Sequence, residues 1–389
     1  MRCLITLSAV VWLFGAAVAQ SRPPEVIITD SGAHTSIAKP GAPKHIVGLN
    51  RTTHTIAMDT GVKTYGLRYV IATDDKRPGV AIPGEGYIGM SQPSGANWYA
   101  GGFFDLKING KTIGTTPIHS LVGRGAGERG CVDFVFDVPE ALVRIRFVAL
   151  FENDALYCQV LLEPKTEITS VRLAVRCYPS AFVNNSDRHV LTPTRDLAQG
   201  ERAELDLASE WWLLYYDRVF DAGYISPSRA GVGPCSILWP GTQADKVAFT
   251  VGGYGIDTAM DLDVSQQDFR FVFFDYNGTK NASAMADLRR RADGLLRELT
   301  AFRFIDDNVA NWPLERKQNE IDQILTTMQG EKEARPRYCD WAATLTEHLK
   351  CLKSGGPGGI MAEAAAVGII RQWELGLPEL KLKRLLEGI

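Results

Sequence analysis

The sequence predicts a mainly β protein, a large antiparallel β-sandwich followed by an α-helical C-terminal region. Three observations carry this expectation. From about residue 45 to 276, short β-type runs are separated by Gly, Pro, Asn and Asp. Four of these runs alternate apolar and polar residues with period two between Cys131 and Tyr178. Past Asn281 the apolar spacing changes to three and four, which is helical.

Taken in order, Arg2 and the apolar stretch "LITLSAVVWLFGAAV" (Leu4 to Val18), closed by "AVA" at 17–19, read as a secretion signal cleaved after Ala19. Its apolar core is too short for a membrane span, and no later stretch is longer, so a secreted or periplasmic protein is expected. Cys3 lies within the signal, away from the cleavage site, which argues against a lipid anchor there. Residues 20–44, rich in Pro, Gly and small polar residues, suggest an extended arm. The sandwich is assigned to 45–280 and the helical region to 281–389.

Within the sandwich, "CVDFVFDV" sets Val132, Phe134, Phe136 and Val138 against Asp133 and Asp137. "VRIRF" sets Val143, Ile145 and Phe147 against Arg144 and Arg146. "LYCQVLL" and "VRLAVRC" continue the pattern, and the four runs read as one antiparallel meander with its polar side outward. "FFDLKI" at 103–108, "KVAFTV" at 246–251 and "FRFVFF" at 269–274 are further strands. In the helical region, Leu288, Ala292, Leu295, Leu299 and Phe302 form one apolar stripe. A second helix is expected with Pro313 at its first position and Gly330 at its stop. A third is expected to be capped by Asp340 and to end at "SGGPGG", with a fourth through "IMAEAAAVGIIRQWELG" and a short last one in "PELKLKRLLEGI".

With 389 residues, 45% hydrophobic and 22% charged, and a net charge of −3, the chain can bury a large core. It carries neither the basic footprint of a nucleic-acid binder nor a polybasic membrane patch. Seven cysteines leave six after the signal, and disulfides are permitted but not required in a core of this size. Cys158 and Cys177 both point inward, yet a bridge between them needs a shifted register. Cys339 and Cys351 on one helix stand about 18 Å apart, beyond disulfide reach.

Several motifs look chemical. "GAGERG" at 125–130 satisfies G-x-G-x-x-G but runs into a strand, where a dinucleotide site needs a helix. "NGKT" at 109–112 reads as a tight hairpin turn. The six His are scattered, without H-E-x-x-H, and G-x-S-x-G does not occur. Asp257, Asp261 and Asp263 lack the EF-hand glycine and closing glutamate; a calcium site of loop carboxylates and a solvated strand edge are the two readings. No cofactor and no metal site are assigned.

Candidate ligand-binding residues fall in three places. "HSLVGRGAGERG" offers His119 and Arg124, with Glu128 and Arg129, on a glycine-rich connection that also reads as a simple crossover between sheets. "FVNNSDRHVLTPTRD" offers Asn184, Asp187, Arg188 and His189, beside Asn185 and Arg195; the same residues are ordinary turn formers. "SEWWLLYYDRVFDAGY" at 209–224 puts aromatics on both faces of one strand, so it is sandwiched between two layers or presents one face to a ligand. The sandwiched reading is preferred, with function at the charged end: Tyr216, Asp217, Arg218 and Tyr224.

The stretch from "FFDLKINGKTIG" through "FENDALYCQVLLEPKTEITSVRLAVRCYPSAF" resembles the two-sheet supersandwiches of galactose-mutarotase-like and polysaccharide-processing proteins. The mutarotase N-H-x-Y-F-N segment does not occur, and no catalytic residue carries over. The resemblance implies carbohydrate binding or processing outside the cytoplasm. Three functions follow: an exported glycan-binding or glycan-processing accessory protein; a polysaccharide lyase or hydrolase using His189, Tyr216 or Tyr224 with an Arg; or a surface or assembly protein whose C-terminal helices dock a protein partner.

Overall fold

The computed structural model describes residues 23–39, 47–74, 81–179, 186–221, 232–354 and 357–388. The first strands are β1 (Ile27–Ile37), β2 (Asn50–Asp59), β3 (Thr64–Thr73), β4 (Ala81–Gln92), β5 (Phe104–Ile108) and β6 (Lys111–Thr112). Next come β7 (Ser120–Ala126), β8 (Arg129–Asp137), β9 (Ala141–Leu150), β10 (Ala155–Pro164), β11 (Val171–Cys177), β12 (Arg188–Leu191) and β13 (Asp196–Ala198). The last are β14 (Arg202–Glu204), β15 (Trp212–Asp217), β16 (Cys235–Leu238), β17 (Ala244–Val251), β18 (Ile256–Leu262) and β19 (Asp268–Asp275). Five helices follow: α1 (Asn281–Ala301), α2 (Asp307–Ala310), α3 (Leu314–Leu325), α4 (Glu331–Ser354) and α5 (Gly359–Glu387).

The described strands form two antiparallel sheets. Sheet I runs β1-β2-β3-β4-β5-β11-β18-β17-β14, with β6 paired to β5, and sheet II runs β13-β12-β15-β16-β19-β10-β9-β8-β7. Their inner faces share one core containing Phe103, Phe134, Phe147, Trp98, Leu213, Tyr215 and Phe273. The fold class is therefore the one the sequence predicts, and the segment 27–37 of the expected arm is an edge strand of sheet I.

The meander is corrected in one place. β8, β9 and β10 are consecutive neighbours in sheet II, but β11 crosses to sheet I between β5 and β18. Cys158 and Cys177 therefore lie in opposite sheets. Period-two alternation marks the side that meets the core, and both sheets present that side to the same core. The expected glycine-rich connection is also corrected: residues 120–137 are a β7–β8 hairpin, with Gly125 opposite Gly130. Its glycines admit sheet I, since a Cβ at Gly130 would stand 2.5 Å from Val26 Cγ1 and one at Gly123 2.6 Å from Ile56 Cγ2. The Asn109-Gly110 hairpin is as expected, with φ of 49° and 77° between β5 and β6.

Sheet II is covered on its outer face. Helix α1 lays Ala284, Leu288, Ala292, Leu295 and Leu299 on Trp212, Leu214, Tyr157, Val272 and Phe274. The alternation of β15 thus points Leu213 and Tyr215 into the sandwich and Trp212, Leu214 and Tyr216 toward α1, and the whole strand is buried. Beyond α1, helices α3, α4 and α5 pack around Trp373, Tyr338, Ile321, Leu325 and Leu377.

Three helix expectations change. α4 begins at Glu331 and runs through Asp340, which caps nothing, and α5 continues through Pro378 where two helices were expected. Pro378 removes one backbone hydrogen bond, but Trp373, Leu377 and Leu380 on either side of it are buried in one core and keep the helix in line. α3 stops at Leu325 rather than at Gly330, and Pro313 sits just before its first residue rather than at it.

Of the polar side chains on the outer side of β8, β9 and β10, Asp137 is exposed as expected, but Asp133, Arg144, Arg146 and Gln159 are buried. Arg146 makes a two-pronged contact with Asp133 at 2.6 Å and 2.6 Å. Its remaining amine reaches Glu363 of α5 at 2.7 Å and the Phe304 carbonyl. Arg144 donates to the other Glu363 oxygen and to Gln159 at 2.9 Å. Arg124 adds a bond to Asp133 at 2.8 Å. Burial alone would raise both carboxyls, but the guanidiniums outweigh it and hold Asp133 well below, and Glu363 below, their ordinary values. Beside this network Ile360 packs on Val135 and Leu142, so the start of α5 is fastened to sheet II by both apolar and ionic contacts.

Candidate functional site

The sequence-predicted residues do not gather in one place. Arg124 lies on β7 and belongs to the buried network beneath the helices. His119, exposed, precedes β7 at one edge of sheet II. Arg188 and His189 lie on β12, near the opposite edge. Asn184 and Tyr224 fall outside the described residues.

The residues from β12 and β15 divide by strand alternation. His189 stands across from Tyr216, between Asp187 at 3.2 Å and Asp196 at 3.1 Å. Tyr216 donates to Asp196 at 2.7 Å, and Arg218 joins the same carboxylate at 3.2 Å. Burial and the bond to Asp196 push the Tyr216 hydroxyl up to about 12. Arg188 and Asp217 point the other way: Asp217 accepts from the Val219 and Phe220 amides at 2.8 and 3.0 Å, while Arg188 bonds Ser186 at 2.7 Å and the Gly253 carbonyl.

Gly253 leads to a surface that sequence reasoning missed. The turn joining β17 to β18 closes with Gly252 N donating to Gly255 O at 2.9 Å and carries Tyr254, 66% exposed. Gly255 lets this turn meet Tyr178, because a Cβ there would lie 2.5 Å from that ring. Tyr254, Tyr178 and Tyr99 form a chain of edge-on rings with centroids 5.2 and 4.9 Å apart. Beside them Arg176 pairs with Asp257 at 2.5 Å on the outer face of sheet I.

That face is open to solvent and grooved. A cavity of about 290 Å³ opens beside Tyr87, Asp105, Thr112, Arg176, Asp257 and the glycines at 86, 101, 102 and 114, and reaches inward to Tyr69, Phe104 and Phe136 of the core. Glycines stand there because backbones touch: a Cβ on Gly86 would lie 1.8 Å from the Gly114 carbonyl. A second cavity of about 440 Å³ shares Ala174 and Asp257 with the first and continues past Ala248 and Ala259 to Arg172, Arg202, Glu204 and Lys246. Small residues thus line a trough between half-exposed charged pairs, with Tyr87 on its wall and Tyr178 beside Arg176. Asp257 and Asp261 are held by Arg176 and Arg172, and Asp263 accepts from Ser265 and Gln266 in the following turn. Among the described residues no group of three His, Cys, Asp or Glu is placed to hold a metal.

The signals for this groove were in the sequence but separated along it. Tyr87, Tyr99, Arg176 and Tyr254 come from four distant segments, and only the strand order β4-β5-β11-β18 brings them together.

No family model matches this sequence, and no curated protein matches it. Among solved structures, the galactosidase domain of the alpha-galactosidase-sucrose kinase AgaSK is similar over 60% of this chain and 41% of its own, with 9% identity and a TM-score of 0.36. A GH36 alpha-galactosidase, AgaA from Geobacillus stearothermophilus, gives 60% and 42%, 11% identity and 0.35. Chondroitinase AC lyase gives 61% and 38%, 7% identity and 0.34. This chain spans less than half the length of each. These neighbours are carbohydrate-processing enzymes, and likeness at this level assigns no activity. Among the described residues no helix is long and apolar enough to cross a membrane.

Proposed function

We propose that this is an exported glycan-binding β-sandwich protein whose ligand lies in the trough across the outer face of sheet I. The observation that carries the reading is the pairing of tyrosines, Tyr87 on the wall and Tyr178 beside Arg176, with small residues flanked by charged groups. Tyrosine faces suit the C–H face of a sugar ring, and Arg176, Asp257, Asp105 and Thr112 supply donors and acceptors for its hydroxyls. Arg188, by holding the Gly253 carbonyl, positions the turn that carries Tyr254. The region 45–280 carries the ligand surface and 281–389 buttresses it. A catalytic reading draws no support from His189 and Tyr216, whose polar atoms are engaged by Asp187 and Asp196.

The test is affinity electrophoresis against neutral and acidic polysaccharides, then titration of the best ligand. Tyr254→Ala is expected to weaken binding by roughly tenfold, about 1.4 kcal/mol, and Arg176→Ala by at least as much, without loss of folding. Retention on none of the polysaccharides, or unchanged binding in both variants, refutes the proposal.

A further inference from the structure

Cys177 ends β11 in sheet I and Cys235 opens β16 in sheet II, and both belong to the core between the sheets. Their surroundings bring them to the same spot. Cys235 Sγ lies 3.6 Å from the Asn97 carbonyl oxygen. The amide of Tyr178, the residue after Cys177, donates to that same oxygen at 3.2 Å. Trp98, next to Asn97, pairs with Cys177 across an isolated bridge. Cys177 Sγ itself lies 3.9 Å from the Ile256 carbonyl oxygen in the same core. The other described cysteines are placed apart from them. Cys158 sits in mid-strand on β10 between Phe147 and Phe271, Cys131 faces the α1 side of sheet II, and Cys339 and Cys351 lie on α4.

We propose that Cys177 and Cys235 form a disulfide joining the two sheets when the chain folds in the presence of a disulfide oxidant. The exchange balances with glutathione disulfide. One cysteine thiolate attacks the oxidant's sulfur and releases one glutathione thiolate. The second cysteine thiolate then attacks the mixed disulfide and releases the other, so two thiols lose two protons and two electrons while the oxidant gains two electrons. Both side chains are almost wholly buried once folded, and burial pushes the Cys235 thiol up. The bond therefore forms before the sheets close, when thiolates are accessible. It ties the strand end carrying Arg176 and Tyr178 to sheet II, and it restricts the unfolded chain over the whole loop between the two cysteines.

The test is refolding of the reduced, denatured full chain in a glutathione redox buffer, followed by alkylation under denaturing conditions and peptide mapping without reduction. The expected result is a mass lower by two hydrogens, two thiols lost to alkylation, and a peptide pair joined through Cys177 and Cys235. The oxidised chain should unfold at a higher denaturant concentration than the same chain after reduction. Cys235→Ser should leave Cys177 alkylatable. If that variant fails to fold, the wild-type map alone decides. Complete alkylation of the refolded wild-type chain overturns the proposal, as does a linkage joining any other pair, Cys3 included.

Discussion

Glu363 is the residue on which the docking of α5 to sheet II turns. It accepts from Arg144, from Arg146 at 2.7 Å and from the Asp306 amide at 3.2 Å, while itself almost wholly buried. Glu363→Leu keeps the volume and removes the charge, leaving Asp133 to answer for Arg124, Arg144 and Arg146. Removing one partner from a buried ion pair costs about 3–5 kcal/mol. The Ile360 contacts remain and hold the helix in place, so the loss should register as stability rather than as detachment. Urea unfolding followed by tryptophan fluorescence and circular dichroism, with hydrogen exchange of α5, measures it. Arg144→Met in the same chain removes one unpaired cation, and the double variant should recover at least about 1 kcal/mol of the single variant's loss. Acid sharpens the test. The folded-state values of Asp133 and Glu363 lie below their unfolded values near 4, so the network's contribution is complete above that range. It is lost as pH falls through the lower folded values, and Glu363→Leu should flatten that part of the profile. A cost below about 1 kcal/mol at pH 7, or an unchanged acid limb, would refute this account.

Other outcomes can be stated briefly. Trp212→Ala should cost about 3–5 kcal/mol in denaturant unfolding, because the side chain is buried under α1; a loss of ligand binding at unchanged stability would contradict its core role. Asp275 is wholly buried, hydrogen-bonded to Asn97 at 2.8 Å, and burial raises its carboxyl to about 7. A raised acid binds its proton more tightly in the folded state, so stability should fall as pH rises from about 4 to about 7 and level off above. Asp275→Asn imitates the protonated form and should be the more stable chain at pH 8. Thermal unfolding across that range checks it, and a variant less stable than wild type at pH 8 would sink the idea.

The legible part of the fold was the part written in local periodicity. The alternating inward residues of β8, β9, β10 and β11, such as Phe134, Ile145, Val160 and Leu173, all reached the shared core, and the stripe of α1 reached sheet II. The Asn109-Gly110 turn was readable because its positive φ values restrict which residues can stand there. Helix limits were less legible at Asp340 and Pro378, where local capping and breaking signals were overridden by packing around Tyr338, Trp373 and Leu377. The groove on sheet I was the least legible, since its tyrosines and its Arg176–Asp257 pair come from strands far apart in the chain.

By itself, the sequence determined that neither face of the run Trp211 to Tyr216 could lie in bulk water, because both alternating sets carry large apolar residues. It also determined which side of β8, β9, β10 and β11 meets the core. Tertiary structure alone decided what covers the other side: α5 over Arg144 and Arg146, α1 over Trp212 and Tyr216, and solvent over Arg176 and Asp257. Alternation is a property of one strand's own geometry, whereas the layer that covers it, and the sheet it joins, are set by contacts between residues far apart in the chain.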